Sequence, residues 1–318
     1  MKTTVMCWAV ALWSTSIITL CPSSSPAQQK ALLAESEALF PTCLACSVDG
    51  KSVAFGTHDG KVHVWTWKNP KSSVVYENPK AIPMCVQFSP NGESILIGGL
   101  DNSIRLIDVK KRAETMVFTG HQETVWAVAF RPDAKSIVST SGDGTVRAWD
   151  CITGKQRYAV KLGSTGNCIA INSDGKLLAC GTGDGKVMLF DANSGELTKE
   201  LSGHSQRVVE VTFLDADKLL VSGGTEGICR EWNVESGKEQ RVLNTHSKIR
   251  GAGFSSNGKT ITADVDGNVR MWDFASGKEM GSLLAEKTGI VVFGTDRNTF
   301  LTGGATIKVW NLALLLKK

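Results

Sequence analysis

The chain has 318 residues, of which 42% are hydrophobic and 21% are charged, values typical of a globular protein that exclude a long disordered chain. Its 35 basic and 31 acidic residues give a formal net charge of +4, too balanced to indicate nucleic acid or an anionic membrane surface as a partner. Glycine is frequent, with 32 residues, and proline is scarce, with 8, a combination that favours many tight turns.

The first 27 residues differ in character from the rest. Lys2 precedes the apolar run VMCWAVALWSTSIITL, and a polar stretch of small residues follows up to Ala27. This pattern is that of a secretory signal peptide, and the apolar run is short for a transmembrane helix. We predict cleavage after Ala27 and a mature domain of residues 28–318, with an uncleaved anchor or a mis-assigned start as alternatives. Lipidation at Cys21 is disfavoured because Leu20, the residue before it, is large.

Seven similar segments recur along the mature chain. The clearest is SGDGTVRAWD at residues 141–150, with THDGKVHVWT before it and DVDGNVRMWD after it among the related segments. The segments are anchored on Trp65, Ile107, Trp149, Phe190, Trp232, Trp272 and Trp310. Successive anchors lie 42, 42, 41, 42, 40 and 38 residues apart, a near-constant period that indicates a repeat architecture.

Each repeat has the pattern of β-strands joined by short turns. In TVRAWD, Val146 and Ala148 lie on one face and Arg147 and Trp149 on the other, as in a strand. The preceding Asp-Gly pair favours the positive φ angles of a hairpin turn. The upstream stretches ETMVF, VWAVAF and SIVSTS bring the number of predicted strands to four per repeat.

The order of a Gly-His pair, a strand, a turn, a strand, an Asp turn and a strand ending in Trp-Asp resembles the WD-repeat family of β-propellers. The opening pair is supplied by Gly120-His121, Gly203-His204 and the variant Thr245-His246. The resemblance covers roughly residues 30–318. It implies an all-β fold, a seven-bladed β-propeller of four-stranded antiparallel blades.

The resemblance also implies a role for three recurring sets of polar residues. In the family such residues form a hydrogen-bonded tetrad inside one blade, because buried polar groups must satisfy one another. The sets are His121, Ser139, Asp143 and Trp149; His204, Ser222, Glu226 and Trp232; and His246, Thr262, Asp266 and Trp272. Each set resembles a catalytic triad in composition, but its recurrence in separate blades favours architecture over catalysis.

The other repeats lack this set. At the serine position they carry Phe55, Ile97, Cys180 and Phe300, and the seventh repeat has Gly304 where an Asp is expected. We predict that these blades depend on apolar packing instead.

Two segments compete to close the ring. Residues 30–36 contain ALLAES, which resembles SLLAEK (282–287) in the outer-strand position of the sixth repeat. We predict that residues 30–36 supply the outer strand of blade seven, with NLALLLKK (311–318) as the alternative. Either closure leaves few exposed strand edges.

The cysteines and histidines do not indicate a metal or cofactor. Cys43 and Cys46 have Cys-x-x-Cys spacing, but residues i and i+3 of a strand point to opposite faces. Cys43, Cys85 and Cys168 fall at equivalent repeat positions, as small buried residues would. We expect buried free thiols, with a disulfide between neighbouring blades as the alternative. His58 and His63 flank the first Asp turn and favour a solvated loop over a metal site.

Two motifs of common enzyme classes are absent from the sequence. HExxH and GxSxG do not occur, and the glycines of residues 181–185 are not followed by a predicted helix, which excludes a dinucleotide-binding turn. The loops between predicted strands are too short for a lid or a second domain.

The positions around the start of each innermost strand predict the channel mouth. Repeats one to three place apolar residues there, and repeats five to seven place basic ones, with no Asp, Glu or His. We name these sets the apolar arc, with Phe40, Ile82, Met84 and Trp126, and the basic arc, with Arg207, Lys248, Arg250 and Lys287. Aromatic and Arg side chains often anchor interfaces, so the pattern favours binding of an acidic amphipathic peptide. In the alternative, Phe40 and Ile82 pack inward and the basic residues are ordinary solvated charge, because a one-residue slip in register swaps the faces.

The resemblance implies a non-catalytic scaffold that binds a protein or peptide at the channel mouth, although a fold alone does not fix function. The alternative is an exported, lactonase- or hydrolase-like enzyme or small-ligand binder acting at the central channel. We expect no cofactor, no nucleic acid, no stable membrane insertion, and a monomeric propeller within a larger assembly. Export favours a periplasmic or secreted bacterial protein, and the cytoplasm is expected if residues 1–27 are not a signal.

Overall fold

A computed structural model describes residues 31–36, 40–66, 72–214, 216–255, 258–284, 289–294 and 298–316. These residues form seven four-stranded sheets, and neighbouring strands within each sheet are antiparallel. The predicted seven-bladed propeller is therefore confirmed. The predicted signal peptide lies outside the described residues.

Strands are numbered in chain order, and blades one to six each take four consecutive strands from the channel outward. Blade one contains β2 (Cys43–Cys46), β3 (Ser52–Gly56), β4 (Lys61–Thr66) and β5 (Ser73–Glu77). Blade two contains β6 (Pro83–Phe88), β7 (Ser94–Gly99), β8 (Ile104–Asp108) and β9 (Ala113–Phe118). Blade three contains β10 (Val125–Phe130), β11 (Ser136–Ser141), β12 (Thr145–Asp150) and β13 (Gln156–Lys161).

The remaining blades follow the same plan. Blade four contains β14 (Gly166–Ile171), β15 (Leu177–Thr182), β16 (Lys186–Asp191) and β17 (Leu197–Ser202). Blade five contains β18 (Val208–Leu214), β19 (Leu219–Gly224), β20 (Ile228–Asn233) and β21 (Glu239–Asn244). Blade six contains β22 (Ile249–Phe254), β23 (Lys259–Asp264), β24 (Asn268–Asp273) and β25 (Lys278–Leu284). Blade seven contains β26 (Ile290–Phe293), β27 (Thr299–Gly303), β28 (Ile307–Asn311) and, outermost, β1 (Leu32–Ser36).

The ring is closed by the pairing of β1 with β28. Their register runs from Leu32 opposite Trp310 to Ser36 opposite Ile307. Glu35 adds side-chain contacts, because its Oε1 accepts a hydrogen bond of 2.7 Å from Thr306 Oγ1. The prediction of an N-terminal closing strand is confirmed for residues 32–36, and residue 30 lies outside the described residues. The C-terminal alternative is wrong, because β28 ends at Asn311 and the short helix α1 (Leu312–Leu315) follows it.

Apolar side chains fill the spaces between neighbouring blades. One cluster joins Phe55 and Trp65 of blade one to Leu301 and Ile307 of blade seven, and all four are buried. Packing therefore crosses the point where the two ends of the ring meet, and burial of apolar surface stabilises the closure in addition to the strand pairing. Within the described residues, no helix has the length and hydropathy needed to span a bilayer.

The channel mouth as candidate functional site

A β-bulge in the innermost strand directs one side chain of each of blades two to six towards the channel. Near the start of these strands, the pairing with the second strand skips one residue. A bulge leaves the extra residue unpaired and re-aims its side chain. The skipped residues are Met84, Trp126, Asn167, Val209 and Arg250, and all five line the central cavity.

The apolar arc is partly exposed in the structure. Phe40 is 57% exposed and Trp126 is 36% exposed, while Ile82 and Met84 are half-buried. The alternative in which Phe40 and Ile82 pack inward is therefore wrong for Phe40. The structure adds Leu100, which is 49% exposed in the turn between β7 and β8, at the same end of the blade. The pattern at the start of the innermost strands does not include Leu100, because this residue follows the second strand of its blade.

Phe40 holds its position in a strained backbone conformation. Its φ is 50°, and its backbone N–H donates a hydrogen bond of 3.1 Å to the carbonyl of Gly304 in blade seven. A bulky residue with positive φ costs roughly 1–2 kcal/mol. The fold thus keeps an aromatic ring exposed at the mouth at a local energetic cost, a pattern that is frequent at functional sites.

The basic arc lies across the opening on blades five and six. Arg207, Lys248 and Arg250 are exposed, and Lys287 lies outside the described residues. Within the described part of the chain, none of the three exposed cations forms a salt bridge. Their charges are therefore available to a partner.

The central cavity below the mouth has a volume of about 280 Å³, and polar and apolar groups contribute about equally to its lining. Among the described residues, its charged or amide side chains are Asn167, Glu210 and Arg250 on blades four, five and six. The Nδ2 atom of Asn167 is buried, and no hydrogen-bond partner for it is found among the described residues. This polar group of three was not anticipated as a unit.

Glu210 is the residue that sequence reasoning missed at this site. It lies one position beyond the predicted mouth residues, where blades one, two and four carry Cys43, Cys85 and Cys168. Burial raises the pKa of Glu210 to about 8, and its carboxyl accepts one long hydrogen bond of 3.3 Å, from Thr212 Oγ1. At neutral pH it is mostly protonated. A charged residue at a position otherwise held by small residues was the available sequence indication.

In blade three, the predicted tetrad is joined by hydrogen bonds. Trp149 Nε1 donates to Ser139 Oγ at 2.9 Å, and Ser139 Oγ lies 2.8 Å from His121 Nε2. His121 Nδ1 lies 2.8 Å from Asp143 Oδ2. A neutral imidazole that donates from Nδ1 and accepts at Nε2 satisfies all four side chains.

The tetrad of blade five has the same geometry with a glutamate as the acid. His204 Nδ1 lies 2.6 Å from Glu226 Oε1, and His204 Nε2 lies 2.7 Å from Ser222 Oγ. Trp232 Nε1 donates to the same hydroxyl at 2.8 Å. Equal spacing along the sequence therefore corresponds to equal geometry in two separate blades.

Burial of these groups sets their protonation. It lowers the pKa of His121 and of His204, against the opposing effect of the neighbouring carboxylates. Burial alone would raise the pKa of Asp143, but hydrogen bonds from Thr145, the Gln122 backbone and His121 lower it to about 2. Ser139 and Ser222 are both 0% exposed. Neither hydroxyl can reach a substrate, although the composition resembles a catalytic triad.

The predicted tetrad of blade six is wrong in two of its four members. Trp272 Nε1 donates to Thr262 Oγ1 at 2.9 Å, but His246 and Asp266 are exposed, and no hydrogen bond joins them among the described residues. His121 and His204 lie four residues before their innermost strands, whereas His246 lies three before β22. The shorter connection places buried Thr245 at the histidine position and turns His246 outward.

Blade seven contains a partner for its tryptophan that the alignment missed. Trp310 Nε1 donates to Thr302 Oγ1 at 3.0 Å, and the two residues are eight apart, whereas Trp149 and Ser139 are ten apart. The assignment of Phe300 to the serine position is therefore wrong, because the hairpin is two residues shorter.

The degenerate blades one, two and four have apolar packing at the serine position, as predicted. Phe55, Ile97 and Cys180 are at most 1% exposed and belong to apolar clusters. His63 is not in a solvated loop; it lies on β4 and stacks on Phe55, with ring centroids 4.8 Å apart. His58 is exposed in the preceding turn.

The seven cysteines of the described residues are free. The thiols of Cys85 and Cys168 turn towards the next blade, where Sγ lies 3.6 Å from the Val125 carbonyl and 3.8 Å from the Val208 carbonyl, respectively. Burial raises the pKa of Cys43 to about 11 and that of Cys168 well above its usual value. Among the described side chains, no group of three His, Cys, Asp or Glu residues could hold a metal ion.

Sequence models of known protein families match most of the repeats of this chain. The sequence model described as WD domain, G-beta repeat matches residues 35–66, 71–108, 112–150 and 237–273. The model described as Anaphase-promoting complex subunit 4 WD40 domain matches residues 156–216. Together these segments cover more than half of the chain. The chain belongs to the WD-repeat family.

Known relatives of this WD-repeat chain come from several eukaryotes. It is 33% identical to Protein tipD of Dictyostelium discoideum over 111 residues, 35% of this chain and 18% of that protein. It is 29% identical to the U3 small nucleolar RNA-associated protein 15 homolog of Xenopus tropicalis over 153 residues, 46% of this chain and 30% of that protein. It is 26% identical to Autophagy-related protein 16 of Arabidopsis thaliana over 168 residues, 50% of this chain and 32% of that protein. The chain thus spans no more than about a third of the length of each of these relatives.

Proposed function

We propose that this WD-repeat chain is a non-catalytic scaffold that binds an acidic, amphipathic segment of a partner protein at the channel mouth. The carrying observation is that Phe40 and Trp126 of the apolar arc are exposed on one side of the opening. On the other side Arg207, Lys248 and Arg250 of the basic arc are exposed and form no salt bridge among the described residues. A partner with apolar and acidic side chains would match both arcs in charge and polarity. Trp126 and Arg250 are of the residue types that most often dominate binding energy.

The names of several relatives support a scaffold more than an enzyme. They include U3 small nucleolar RNA-associated protein 15 homolog, Telomerase protein component 1 and Apoptotic protease-activating factor 1. Each name describes association, membership or activation of another molecule. These names apply to those proteins, and their extension to this chain is part of our proposal.

The enzyme alternative has less support. Acid–base chemistry at the channel would need at least two convergent titratable groups with separated pKa values. Among the described residues, Glu210 is the one acidic side chain that lines the central cavity, and no histidine lines it. A single half-buried carboxyl that lacks a second titratable partner favours a binding role.

Export of the mature domain also remains a proposal, and it rests on residues 1–27 alone. Expression of the full chain in a bacterium, followed by N-terminal sequencing of the periplasmic fraction, tests it. We expect a mature protein that begins at Gln28. Retention of the intact N-terminus in the cytoplasm would overturn the proposal.

Binding of designed peptides tests the scaffold proposal. Three fluorescent peptides share the same Leu and Trp positions and carry Glu, Gln or Lys at every polar position. Binding to residues 28–318 is measured by fluorescence anisotropy at low salt. We expect the Glu peptide to bind at least about tenfold more tightly than the Gln and Lys peptides, because opposite charges attract across the interface.

A pair of charge-reversal variants localises the surface. The mouth variant carries Arg207→Glu, Lys248→Glu and Arg250→Glu. The control variant carries Lys111→Glu, Lys155→Glu and Lys176→Glu, which lie in exposed turns at the opposite end of the blades and change the net charge equally. We expect the mouth variant to lose at least about tenfold in affinity and the control to keep the parent affinity. Equal loss in both variants, or no preference for the Glu peptide, would contradict the proposal.

A further inference from the structure

The polar group inside the central cavity indicates what the partner inserts there. Asn167, Glu210 and Arg250 lie on three adjacent blades and line one cavity of about 280 Å³. These three side chains supply the charged and amide groups of the described lining, and such groups fix the orientation of a polar ligand group in a cavity.

Asn167 provides a hydrogen-bond donor that is not used within the described chain. Its Nδ2 is buried and has no partner among the described residues. A buried donor without a protein partner is unfavourable, so the Asn167 amide is available to donate to an acceptor that enters the cavity.

Arg250 provides the cationic side of the cavity. Its guanidinium has no salt bridge among the described residues, and its stem extends over blade seven, where Gly289 has no side chain. A Cβ at Gly289 would lie 3.8 Å from Arg250 Cδ. The cavity is therefore open to a ligand group beside the guanidinium.

Glu210 lies deeper, and its carboxyl faces several groups. Thr212 of the same strand donates to it, and the thiol of Cys168 in blade four is influenced by the charges of both Glu210 and Arg207. Arg250 of blade six lines the same cavity. Because burial keeps Glu210 protonated at neutral pH, the cavity then presents hydrogen-bond donors and one cation.

We propose that the cavity holds one carboxylate side chain of the acidic partner, with the Asn167 amide and the Arg250 guanidinium as donors, and that ionised Glu210 opposes its binding. This inference rests on the proposed docking of an acidic segment and names where one of its carboxylates lies. Charge-assisted hydrogen bonds from Arg and amide groups are well suited to a carboxylate.

The proposal predicts a dependence of affinity on pH that belongs to Glu210. The folded pKa of about 8 means that the carboxyl is largely neutral at pH 7 and largely ionised at pH 9. If only the protonated form accepts a carboxylate, affinity falls by about tenfold between these two pH values. The thiol of Cys168 does not titrate in this range, because burial raises its pKa well above its usual value, and the other charged groups near it are Arg207 and Arg250.

Peptides with a single central Glu or Gln, binding to residues 28–318, test the proposal. Anisotropy titrations at pH 7 and pH 9 give the ratio of the two dissociation constants. For the Glu peptide we expect the dissociation constant at pH 9 to be about ten times that at pH 7 on the parent, and the two constants to be nearly equal on Glu210→Gln. Glu123 is an exposed acid near the mouth, and Glu123→Gln is the matched control that keeps the parent ratio. Asn167→Ala should weaken the Glu peptide by about tenfold at pH 7 and the Gln peptide little.

A contrary set of results would overturn the proposal. An unchanged ratio in Glu210→Gln would remove Glu210 from the site. A Lys peptide that binds more tightly as the pH rises, and loses this gain in Glu210→Gln, would show that the cavity holds a cation. If the mouth variant weakens the Glu peptide but Asn167→Ala does not, docking at the mouth stands and the insertion of a carboxylate into the cavity fails.

Glutarate provides a test that does not depend on peptide docking. The Asn167 side-chain amide is followed by ¹H–¹⁵N correlation spectra while glutarate is added at pH 7, with Asn167→Ala used to assign the signal. We expect a saturable shift of this signal at millimolar glutarate, and no shift would overturn the carboxylate site. Competition of glutarate with the Glu peptide distinguishes a free dicarboxylate from a side chain held by its surrounding peptide.

Discussion

Removal of the Ser139 hydroxyl tests whether the tetrad stabilises blade three. The hydroxyl is 0% exposed, and it lies 2.9 Å from Trp149 Nε1 and 2.8 Å from His121 Nε2. Ser139→Ala removes both hydrogen bonds and leaves two buried ring nitrogens without this partner. Each lost bond is worth about 1 kcal/mol, and each unpaired buried group adds to the cost, so we expect a loss of about 3 kcal/mol in the free energy of unfolding.

Blade six provides a matched control for this substitution. Thr262 is also 0% exposed, but among the described residues its hydroxyl contacts the indole of Trp272 and not His246. Thr262→Val retains the shape of the side chain and removes one hydrogen bond. We expect a loss of about 1 kcal/mol, clearly smaller than that of Ser139→Ala.

Urea unfolding followed by tryptophan fluorescence measures both losses, and hydrogen exchange of β11 and β12 shows whether the loss in Ser139→Ala is local to blade three. Equal losses in the two variants would refute the reasoning, because they would mean that the histidine adds nothing to the serine–tryptophan bond. A loss below about 0.5 kcal/mol in Ser139→Ala would show that the buried nitrogens find other partners or water.

Two further predictions concern Glu210 and the ring closure. The pKa of Glu210 is about 8 in the folded protein, above its usual value of 4.5. The contribution of protonated Glu210 to the free energy of unfolding is therefore fully present below pH 4.5 and is lost as the pH rises through 8. The full pKa shift corresponds to about 5 kcal/mol in unfolding free energy, but the channel is open to water, which reduces the effect. We expect the unfolding free energy of Glu210→Gln minus that of the parent, measured by urea unfolding, to be about 2 kcal/mol larger at pH 8 than at pH 5. An equal difference at both pH values contradicts this. Deletion of residues 31–36 exposes the edge of β28, so we expect a lower melting temperature and self-association detected by light scattering. Leu33→Ser, at a position that is 49% exposed, should behave as the parent. A monomeric deletion variant with parental stability would refute the role of β1.

The sequence predicted features that depend on spacing and missed those that depend on local geometry. The tetrads around His121 and His204 were accessible because both blades keep the same spacing between the four residues. His246 was misplaced because a connection one residue shorter moves it out of the blade. The sequence carries an indication of this change, because His246 and Thr262 are 16 residues apart, whereas the corresponding residues of blades three and five are 18 apart.

The cavity residues illustrate the same limit. Met84, Trp126 and Arg250 were placed at the mouth by alignment, but the bulges that direct them there depend on strand pairing that a single sequence does not specify. Glu210 directly follows Val209, the bulge residue of β18, so its place in the cavity depends on the register of the strand after the bulge. The proximity of Asn167, Glu210 and Arg250 needed the closed ring.

Closure of blade seven has a consequence for the order in which the protein is made. Thr306 and Glu35, which are hydrogen-bonded across β28 and β1, are separated by 271 residues. During synthesis, β1 is made before the other strands and cannot pair with β28 until all the intervening blades have been translated. Such non-local contacts slow folding. A chain that terminates before β28 leaves β1 unpaired, so closure of the ring requires synthesis through Asn311.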